Sequence, residues 1–386
     1  MRVTQSMMAS RSIQNINQNY QRLYDLQQQA STGKKLTKPS DDPAAAMAAM
    51  KYRTELSELD QFQKNGSQAD RWMRDTEAVL EDTAGALHRI RDLAVQASNG
   101  SYKPEDLADI GAEISQIKAH IVTLANSKTG DGYLFNGTDV RNTPVKEELL
   151  DLSFTSGPFP IWHEGGADED QSFILHYRGE SYKLTGNPGE NPLDFEAENG
   201  SRISVSGLPG NPFFERIWTE DTPDGPEEMS EPASGAGIIL SASEAVAGNG
   251  PQVEFEVMKG VNMQAGIDPK AVFSLDLFAE LTMLERALKD PVTSSVELED
   301  FISPVSARLD QIVSVRSELG ARQVRADLIS ERVKDQEILF KRLQSENEDA
   351  DMTKVITELM AQENIHRAAL ASSARSIQPS LLDFLR

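Results

Sequence analysis

The sequence predicts a mainly α-helical protein with a β-rich insertion in its middle. Glycine and proline are concentrated between residues 141 and 260, which hold 15 of the 25 glycines and 11 of the 18 prolines. The flanking regions are instead rich in Gln, Ala, Leu, Ile, Glu and Arg, residues that lose little free energy on entering a helix. We therefore expect both chain ends to form an elongated helical bundle or coiled coil around a β-rich middle.

The clearest helix is predicted between residues 104 and 126. Its apolar residues are spaced three and four apart, as in the a and d positions of a heptad repeat. They are Leu107, Ile110, Ile114, Ile117, Ile121 and Leu124. Pro104 suits a first helical turn, and Asn99-Gly100 suits the end of a preceding helix. The pattern predicts two antiparallel helices joined by a short loop.

Both chain ends carry apolar residues at helical spacing. A helix of about 20 residues with few apolar side chains is marginal by itself, so these segments need partners to pack against. The predicted packing residues of the two ends are Ile13, Ile16, Tyr20, Leu23, Met352, Val355, Leu359 and Leu385. Together with the heptad residues, they are the predicted assembly and packing positions.

The middle of the chain is strongly acidic and predicts short strands. Between residues 141 and 260 there are 22 acidic and 7 basic residues. The segments 172–177 and 253–257 have the composition of strands bounded by turns. The segment 219–237, rich in Pro, Glu and Gly, is expected to be a loop.

Two local signals refine the helical part. Asp42-Pro43 is typical of a helix start, with a capping side chain followed by proline at the first helical position. In the segment 130–137, Asp-Gly and Asn-Gly bracket the apolar residues Tyr133, Leu134 and Phe135. This arrangement predicts a hairpin that packs on the helices.

Composition argues against several classes of function. The net charge of −23 repels nucleic acids and anionic membranes, so neither is an expected partner. The sequence contains no cysteine, and no apolar run is long enough to cross a bilayer. The five histidines lack metal-ligand spacing, and no nucleophile elbow, dinucleotide fingerprint or phosphate loop occurs. We expect no catalytic, cofactor or metal site. The start of the chain lacks a signal-peptide pattern, which by itself favours a cytosolic protein.

Several segments together resemble the flagellin superfamily of bacterial flagella. Three lie in the N-terminal part: Ser-Thr-Gly-Lys-Lys at 31–35, Pro-Ser-Asp-Asp-Pro-Ala at 39–44, and Ile-Arg-Asp-Leu-Ala-Val-Gln-Ala-Ser-Asn-Gly at 90–100. Two lie in the C-terminal part: Leu-Gly-Ala-Arg-Gln at 319–323 and Glu-Asp-Ala-Asp-Met at 348–352. They occur in the family's order, so the chain is identified as a member of this superfamily.

Within the superfamily, the segments 1–8 and 132–137 resemble the hook-associated proteins of the FlgL family, which join hook to filament. The resemblance implies a structural subunit that forms a ring or tubular layer with its own copies. It also implies a hook-associated protein and flagellin as axial neighbours, and an export chaperone. The segment 379–386 resembles a flagellin ending, so flagellin itself, the filament subunit, is the alternative.

The resemblance changes the expected location of the protein. It implies export through the flagellar type III channel, a place in the extracellular flagellum, and chain ends that are disordered before assembly. The predicted domains are the terminal helices at 1–42 and 346–386, a helical domain with a hairpin at 43–140 and 264–345, and a β-rich acidic outer domain at 141–263.

One further hypothesis concerns the middle domain. Its aromatic residues Trp162, Tyr177, Tyr182 and Trp218 suggest a sugar- or adhesin-type binding activity. The competing interpretation is that they form the small core of this domain.

Overall fold

The structure is a computed structural model that describes residues 5–377 except 37, 100–101, 131, 140, 166–171, 209, 223–224, 249 and 291–297. Its internal contacts divide the chain into two units. The terminal unit comprises Met1–Lys64 and Ser330–Arg386, and the central unit comprises Asn65–Ile329. The predicted fold class, mainly α with a β-rich insertion, is confirmed.

Long helices make up most of the described residues. They are α1 (Gln5–Thr32), α2 (Pro43–Ser98), α3 (Pro104–Ala125), the short α4 (Pro158–His163), α5 (Leu275–Lys289), α6 (Ile302–Glu348) and α7 (Met352–Ile377). α2 and α6 each contribute residues to both units.

Side chains cap the starts of two helices, and the sequence predicts the first of them, at Asp42. The Asp42 carboxylate accepts hydrogen bonds from the backbone N–H groups of Ala44 and Ala45, both at 3.0 Å, and caps α2. The Asp351 carboxylate does the same for α7, accepting from the N–H of Thr353 at 3.0 Å. The partial positive charge at each helix start also stabilises the carboxylate.

The central unit contains the strands. They are β1 (Lys128–Thr129), β2 (Gly132–Tyr133), β3 (Phe173–Tyr177), β4 (Glu180–Leu184), β5 (Leu193–Ala197), β6 (Arg202–Ser206), β7 (Phe213–Thr222), β8 (Gly225–Ala233), β9 (Ile238–Ala242), β10 (Glu254–Met258) and β11 (Val261–Gln264). Seven of them form one antiparallel sheet in the order β8-β7-β6-β5-β4-β3-β9. β1 with β2 and β10 with β11 form separate hairpins.

The prediction of a loop at 219–237 is wrong. Thr219 pairs with Glu228 in the β7–β8 hairpin, and β8 is an outer strand of the sheet. The proline and glutamate residues that suggested a loop are also those that natural sheets place on edge strands, where they discourage pairing with other chains.

The predicted hairpin at 130–137 is present but shorter than expected. Lys128 pairs with Tyr133 and Thr129 with Gly132, so Leu134 and Phe135 follow the second strand in a turn. Both side chains are buried in the helical core. Gly137 has a φ of +55°, and a Cβ there would lie 2.6 Å from the Pro251 carbonyl oxygen, so glycine is required at this position.

The central unit has a helical core and a sheet core. Apolar residues of α2, α3, α5, α6 and the β10–β11 hairpin form the helical core. The sheet core lies under β3–β7 and β9 and includes Trp162, Tyr177 and Tyr182, which are buried there. Trp218 lies on β7 with the Arg216 guanidinium 5.4 Å from its ring. Burial of three of the four aromatics favours the core interpretation over a carbohydrate site.

The sheet enters and leaves the helical part of the central unit at one place. Val145 and Val246 form an isolated antiparallel bridge just before and after the sheet domain. The backbone N–H groups of Lys146 and Ala247 donate to the carbonyls of Ala245 and Pro144, at 2.8 and 2.7 Å. The polypeptide thus returns to its starting point after forming the sheet.

Candidate functional site

The terminal unit pairs the two ends of the chain. α1 and α7 lie side by side, and the side-chain amide of Gln362 donates to the backbone and side-chain oxygens of Asn19, both at 3.3 Å. The rings of Tyr20 and His366 contact each other, with their centroids 6.1 Å apart. The first and last helices of the described chain therefore form one structural element.

The turns that follow α1 and precede α7 also pair. Lys34 and Asp349 form an antiparallel bridge. The N–H of Lys35 donates to the Glu348 carbonyl at 2.7 Å, and the N–H of Ala350 donates to the Gly33 carbonyl at 2.9 Å. We call the segments 33–35 and 348–350 the paired turns. Gly33 ends α1 with a φ of +69°, a conformation that glycine adopts without the strain of a Cβ.

A buried carboxylate joins the paired turns to two helices. Glu348, whose side chain is only 4% exposed, accepts bonds from Arg53 at 3.1 and 2.8 Å and from the Lys34 ammonium at 2.8 Å. The Gln344 amide donates to the same carboxylate at 3.3 Å. These four residues are the Glu348 cluster. They come from α2, α6 and the paired turns.

The cluster holds Glu348 in its ionised form. Burial by itself raises the pKa of this carboxyl, but the hydrogen bonds from Arg53 and Lys34 outweigh it and lower the pKa from 4.5 to about 2. The same contact raises the pKa of Arg53. A buried charge is tolerated when charged partners and hydrogen bonds compensate for its lost hydration, which is the case here.

Further contacts in the terminal unit connect α2 with α6. The Gln63 amide donates to the Glu337 carboxylate at 2.5 Å, and the Asn347 amide donates to the Ala45 carbonyl at 2.8 Å. The rings of Tyr52 and Phe340 have their centroids 6.3 Å apart. Polar and aromatic contacts therefore supplement a thin apolar core.

The predicted packing residues of the chain ends are divided between buried and exposed positions. Ile13 is 55% exposed and Tyr20 is 59% exposed, while Val355 is buried. Ile16, Leu23 and Leu359 are half-buried, Met352 is exposed, and Leu385 lies outside the described residues. The stripes on α1 and α7 are thus only partly covered within the chain.

The heptad residues of α3 have different surroundings. Ile110, Ile114, Ile121 and Leu124 are buried, and Leu107 and Ile117 are partly buried, in the central unit. α3 approaches α5 closely at Gly111, where a Cβ would lie 3.2 Å from the Leu288 Cβ. The structure therefore places this stripe in the core of the central unit.

Exposed apolar residues also occur where the sequence analysis named none. α6 exposes Val313, Val324, Leu328, Ile338 and Leu339, and α2 exposes Met47 and Met50. On α6 the pairs Val313 with Val324 and Leu328 with Leu339 are separated by 11 residues, three helical turns, so they lie on one face. This 11-residue spacing is the signal that could have revealed them.

A second polar cluster attaches the sheet to α5 and α6 within the central unit. Asp276, near the start of α5, accepts a hydrogen bond from the Ser181 hydroxyl and lies 3.3 Å from His176 Nδ1. The hydrogen bond with His176, together with Ser181 and Arg308, lowers the pKa of Asp276 to about 2 against the opposing effect of burial. Arg308 donates to the buried Glu280 carboxylate at 2.8 Å.

This second cluster is not a nucleophilic triad. Ser181 donates its proton to Asp276, and His176 Nδ1 faces both side chains. His176 Nε2 is buried and has no hydrogen-bond partner within the described part of the chain. Nearby, Arg286 binds both oxygens of Asp151 at 2.7 Å and the Ile238 carbonyl at 3.1 Å. The arrangement fixes the sheet on the helices, and its residues are too far apart in sequence to be recognised as a motif.

Among the described residues, no three or more His, Cys, Asp or Glu side chains form a group that could hold a metal ion. No described helix combines the length and the apolar character needed to cross a bilayer.

Helical chain ends that pair with each other, and a sheet domain inserted between them, define the class of this protein. Residues 3–139 match the bacterial flagellin N-terminal helical region, and residues 302–385 match the bacterial flagellin C-terminal helical region. The chain belongs to the flagellin family, and the resemblance predicted from its motifs is confirmed.

Relatives of known sequence include filament and hook-associated proteins. The chain is 32% identical over 141 residues to the flagellar filament 31.3 kDa core protein of Treponema maltophilum, covering 36% of this chain and 46% of that protein. It is 26% identical over 181 residues to flagellar hook-associated protein 3 of Escherichia coli K12, covering 47% and 56%. The chain spans about half the length of the curated relatives it matches.

A solved structure supports the fold. The structure from Vibrio parahaemolyticus described as a flagellar hook-associated protein aligns with a TM-score of 0.52 at 14% identity, covering 80% of this chain and all of that one. At this identity the likeness establishes a shared architecture.

Proposed function

We propose that this chain is a structural subunit of the bacterial flagellum at the junction between hook and filament. The observation that carries the proposal is the partly uncovered α1–α7 pair, whose apolar residues Ile13, Tyr20, Ile356 and Met360 remain exposed. Full burial of such a side chain contributes roughly 1.5–3 kcal/mol. If several copies pack through these faces, the apolar side chains that a single copy leaves exposed become buried, and this burial stabilises the assembly.

Family membership supports this assembly mode. Flagellin helical regions match both ends of the chain, which are also the segments that expose apolar stripes. The exposed face of α6 supplies a second surface for neighbouring copies. In this proposal the copies form a ring or tubular layer, with a hook-associated protein and flagellin as axial neighbours.

The acidic sheet domain lies outside the packed helical layer in this proposal. Its edge strand β8 carries Pro226, Pro232, Glu228 and Glu231, which oppose strand addition from another chain. The protein is secreted to the extracellular flagellum by type III export, with the help of an export chaperone. Its role is structural, without catalysis.

The choice of the junction over the filament rests on the segments 1–8 and 132–137 and on the relatives named hook-associated protein 3. The matches to Treponema filament proteins support the second candidate, flagellin itself. The two candidates differ in copy number and in axial neighbours.

Deletion of the gene tests the proposal. A junction subunit predicts normal hooks on the deletion strain and unassembled flagellin in the medium, with motility restored by the intact gene. Counting copies in purified filaments gives the independent measurement. Thousands of copies per filament would establish the filament role and overturn the junction role.

A further inference from the structure

The sheet contacts α5 of the central unit through a small apolar cluster. Ile239 of β9 packs with Ala279 and Met283 of α5, apart from the two main cores. On the same face of the sheet, Ile239 pairs with His176 of β3, which pairs with Ser181 of β4. Farther across this face the side chains are polar and exposed, as at Lys183 and Glu196.

The contact between the sheet domain and α5 is also open on one side. A cleft of about 710 Å³ lies beside it, with Tyr177 and Gly237 from the sheet domain and Met283 and Phe301 from the helical part. Met283 borders both the apolar cluster and the cleft. Solvent therefore reaches the edge of this contact while both cores remain folded.

A carboxylate on α5 supplies the polar part of the contact. Asp276 lies in the first turn of α5 and accepts a hydrogen bond from the Ser181 hydroxyl. His176 Nδ1 of β3 lies 3.3 Å from Asp276 Oδ1, and Arg308 of α6 lies 3.7 Å from Oδ2. Arg308 is shared with Glu280, one turn farther along α5. The Asp276 carboxylate thus contacts two strands and a second helix.

The hydrogen bonds fix the proton of the His176 ring. Ser181 donates to Asp276, so its oxygen accepts from His176 Nδ1 at 3.0 Å, and Nδ1 carries the hydrogen. Nε2 is buried without a partner among the described residues. A second proton on the ring therefore places an N–H there without an acceptor, and the Asp276 carboxylate is the nearby negative charge that compensates for it.

These contacts keep Asp276 ionised. The hydrogen bond with His176, together with Ser181 and Arg308, lowers the pKa of Asp276 from 3.8 to about 2 against the opposing effect of burial. A group whose pKa is lowered by folding contributes stability above its ordinary pKa and loses it below. The contribution of Asp276 is therefore fully present above pH 3.8 and is lost as the pH falls toward 2.

We propose that the second polar cluster is an acid-sensitive latch, which holds the sheet domain on α5 and releases it when Asp276 is protonated, while both cores stay folded. Protonation removes the negative charge that faces Arg308 and His176. An imidazole in water is protonated at such a pH, so release also lets the ring regain its hydration. The proposal concerns the single chain and does not depend on its place in the flagellum.

Asp276→Asn imitates the protonated carboxyl group at pH 7. The natural chain has no cysteine, so Ile239→Cys introduces a single thiol at a fully buried position of the contact. We expect Asp276→Asn to raise the rate at which a thiol reagent labels this position by about tenfold or more. An unchanged rate would overturn the proposal.

Two further thiols distinguish release from unfolding. Leu87→Cys lies in the helical core and Val205→Cys in the sheet core, and both positions are fully buried. Their slow labelling should not change when Asp276→Asn is added. Equal acceleration at all three positions would indicate general unfolding and contradict a latch.

Glu285→Gln is the matched control on the same helix. Glu285 of α5 is also a partly buried carboxylate, but it pairs with Lys118 of α3 at 2.7 Å. This variant should leave the labelling of Ile239→Cys unchanged. If it accelerates labelling as much as Asp276→Asn does, the latch is not at Asp276.

The acid response is measured with a disulfide reagent that reacts at low pH. Labelling of Ile239→Cys between pH 2 and pH 6 is divided by that of Glu198→Cys, a position whose side chain is 90% exposed. The ratio should rise as the pH falls from 3.8 toward 2. In Asp276→Asn it should be high throughout, and an equal pH dependence in both chains would assign the response to another group.

Ser181→Ala keeps the test decisive if Asp276→Asn fails to fold. It removes one hydrogen bond from Asp276 and leaves the carboxylate in place. Because this bond lowers the pKa of Asp276, its loss should move the acid release to higher pH. Release at the same pH as in the natural chain would overturn the proposal.

Discussion

Glu348 makes the stability of the terminal unit dependent on pH. Its pKa is lowered from 4.5 to about 2 in the folded chain, so its contribution is fully present above pH 4.5 and is lost as the pH falls toward 2. The upper bound is about 3 kcal/mol, and solvent around the 57%-exposed Arg53 reduces it. Denaturant unfolding of the terminal helices between pH 2 and pH 6 should show this loss in the natural chain. In the Glu348→Gln variant the stability should depend less on pH. If the variant shows the same pH dependence as the natural chain, Glu348 is not the group responsible.

Gly320 supplies a second prediction at the residue scale. It lies inside α6, and no described atom of its own chain lies within 4 Å of where a Cβ would be, so packing in the monomer does not require glycine. Gly320→Ala should stabilise the monomer by about 1 kcal/mol through helix propensity. If the exposed face of α6 packs closely on another copy, the added methyl group should at the same time weaken assembly.

Gly85→Ala is the control for this change. Gly85 lies inside α2 and is equally uncrowded, so alanine should give a similar gain in thermal stability. Sedimentation of assembled material should then separate the variants, with normal assembly for Gly85→Ala and reduced assembly for Gly320→Ala. Normal assembly of both would remove the α6 face from the proposed contact surface.

The apolar stripes of the helices differ in how deeply they are buried, although their residues have similar spacing in the sequence. Ile114 on α3 is fully buried, whereas Ile13 on α1 is mostly exposed. Ile114→Ala should therefore lower the free energy of unfolding by roughly 2–5 kcal/mol, the usual range for emptying a core position. Ile13→Ala should change monomer stability by less than about 0.5 kcal/mol, as surface substitutions do, and should reduce assembly. Denaturant titration and polymerisation assays measure the two effects, and a large loss of monomer stability in Ile13→Ala would contradict this division.

Sequence reasoning succeeded where short-range chemistry decides the structure. The spacing from Leu107 to Leu124 predicts the helix that is found there, and Asp42 lies at the predicted helix start because its side chain reaches nearby backbone N–H groups. It failed at β8, since an edge strand and a loop share the same proline and glutamate content. Whether a helical stripe faces its own core or the outside depends on the tertiary arrangement, which spacing does not encode.

The Glu348 cluster cannot be predicted from local sequence patterns for the same reason. Arg53 and Glu348 come together only after the chain has folded back over 295 positions. Glu348 belongs to a family motif, but the motif indicates neither the burial of its side chain nor its partners. The second polar cluster likewise joins the β3–β4 hairpin to α5 and α6, and its Ser181 and Asp276 are 95 residues apart in the sequence.

At the scale of the whole molecule, the net charge of −23 opposes the packing of copies. Raising the ionic strength from 0.01 to 0.15 M shortens the screening length from about 30 to about 8 Å. We expect assembly to increase over this range, measured by light scattering at constant protein concentration. A decrease with salt would instead show that ion pairs between copies dominate the contact, contrary to the proposed apolar faces.

The bridge between Val145 and Val246 makes the sheet domain replaceable, both in evolution and in protein engineering. Because the polypeptide departs and comes back through neighbouring backbone positions, a different module with closely spaced termini can replace the sheet without stretching the helices beneath it. Related proteins can therefore carry inserted domains of different sizes at this position while keeping the same helical regions. It also marks residues 146–245 as the place to graft an epitope or an enzyme for display.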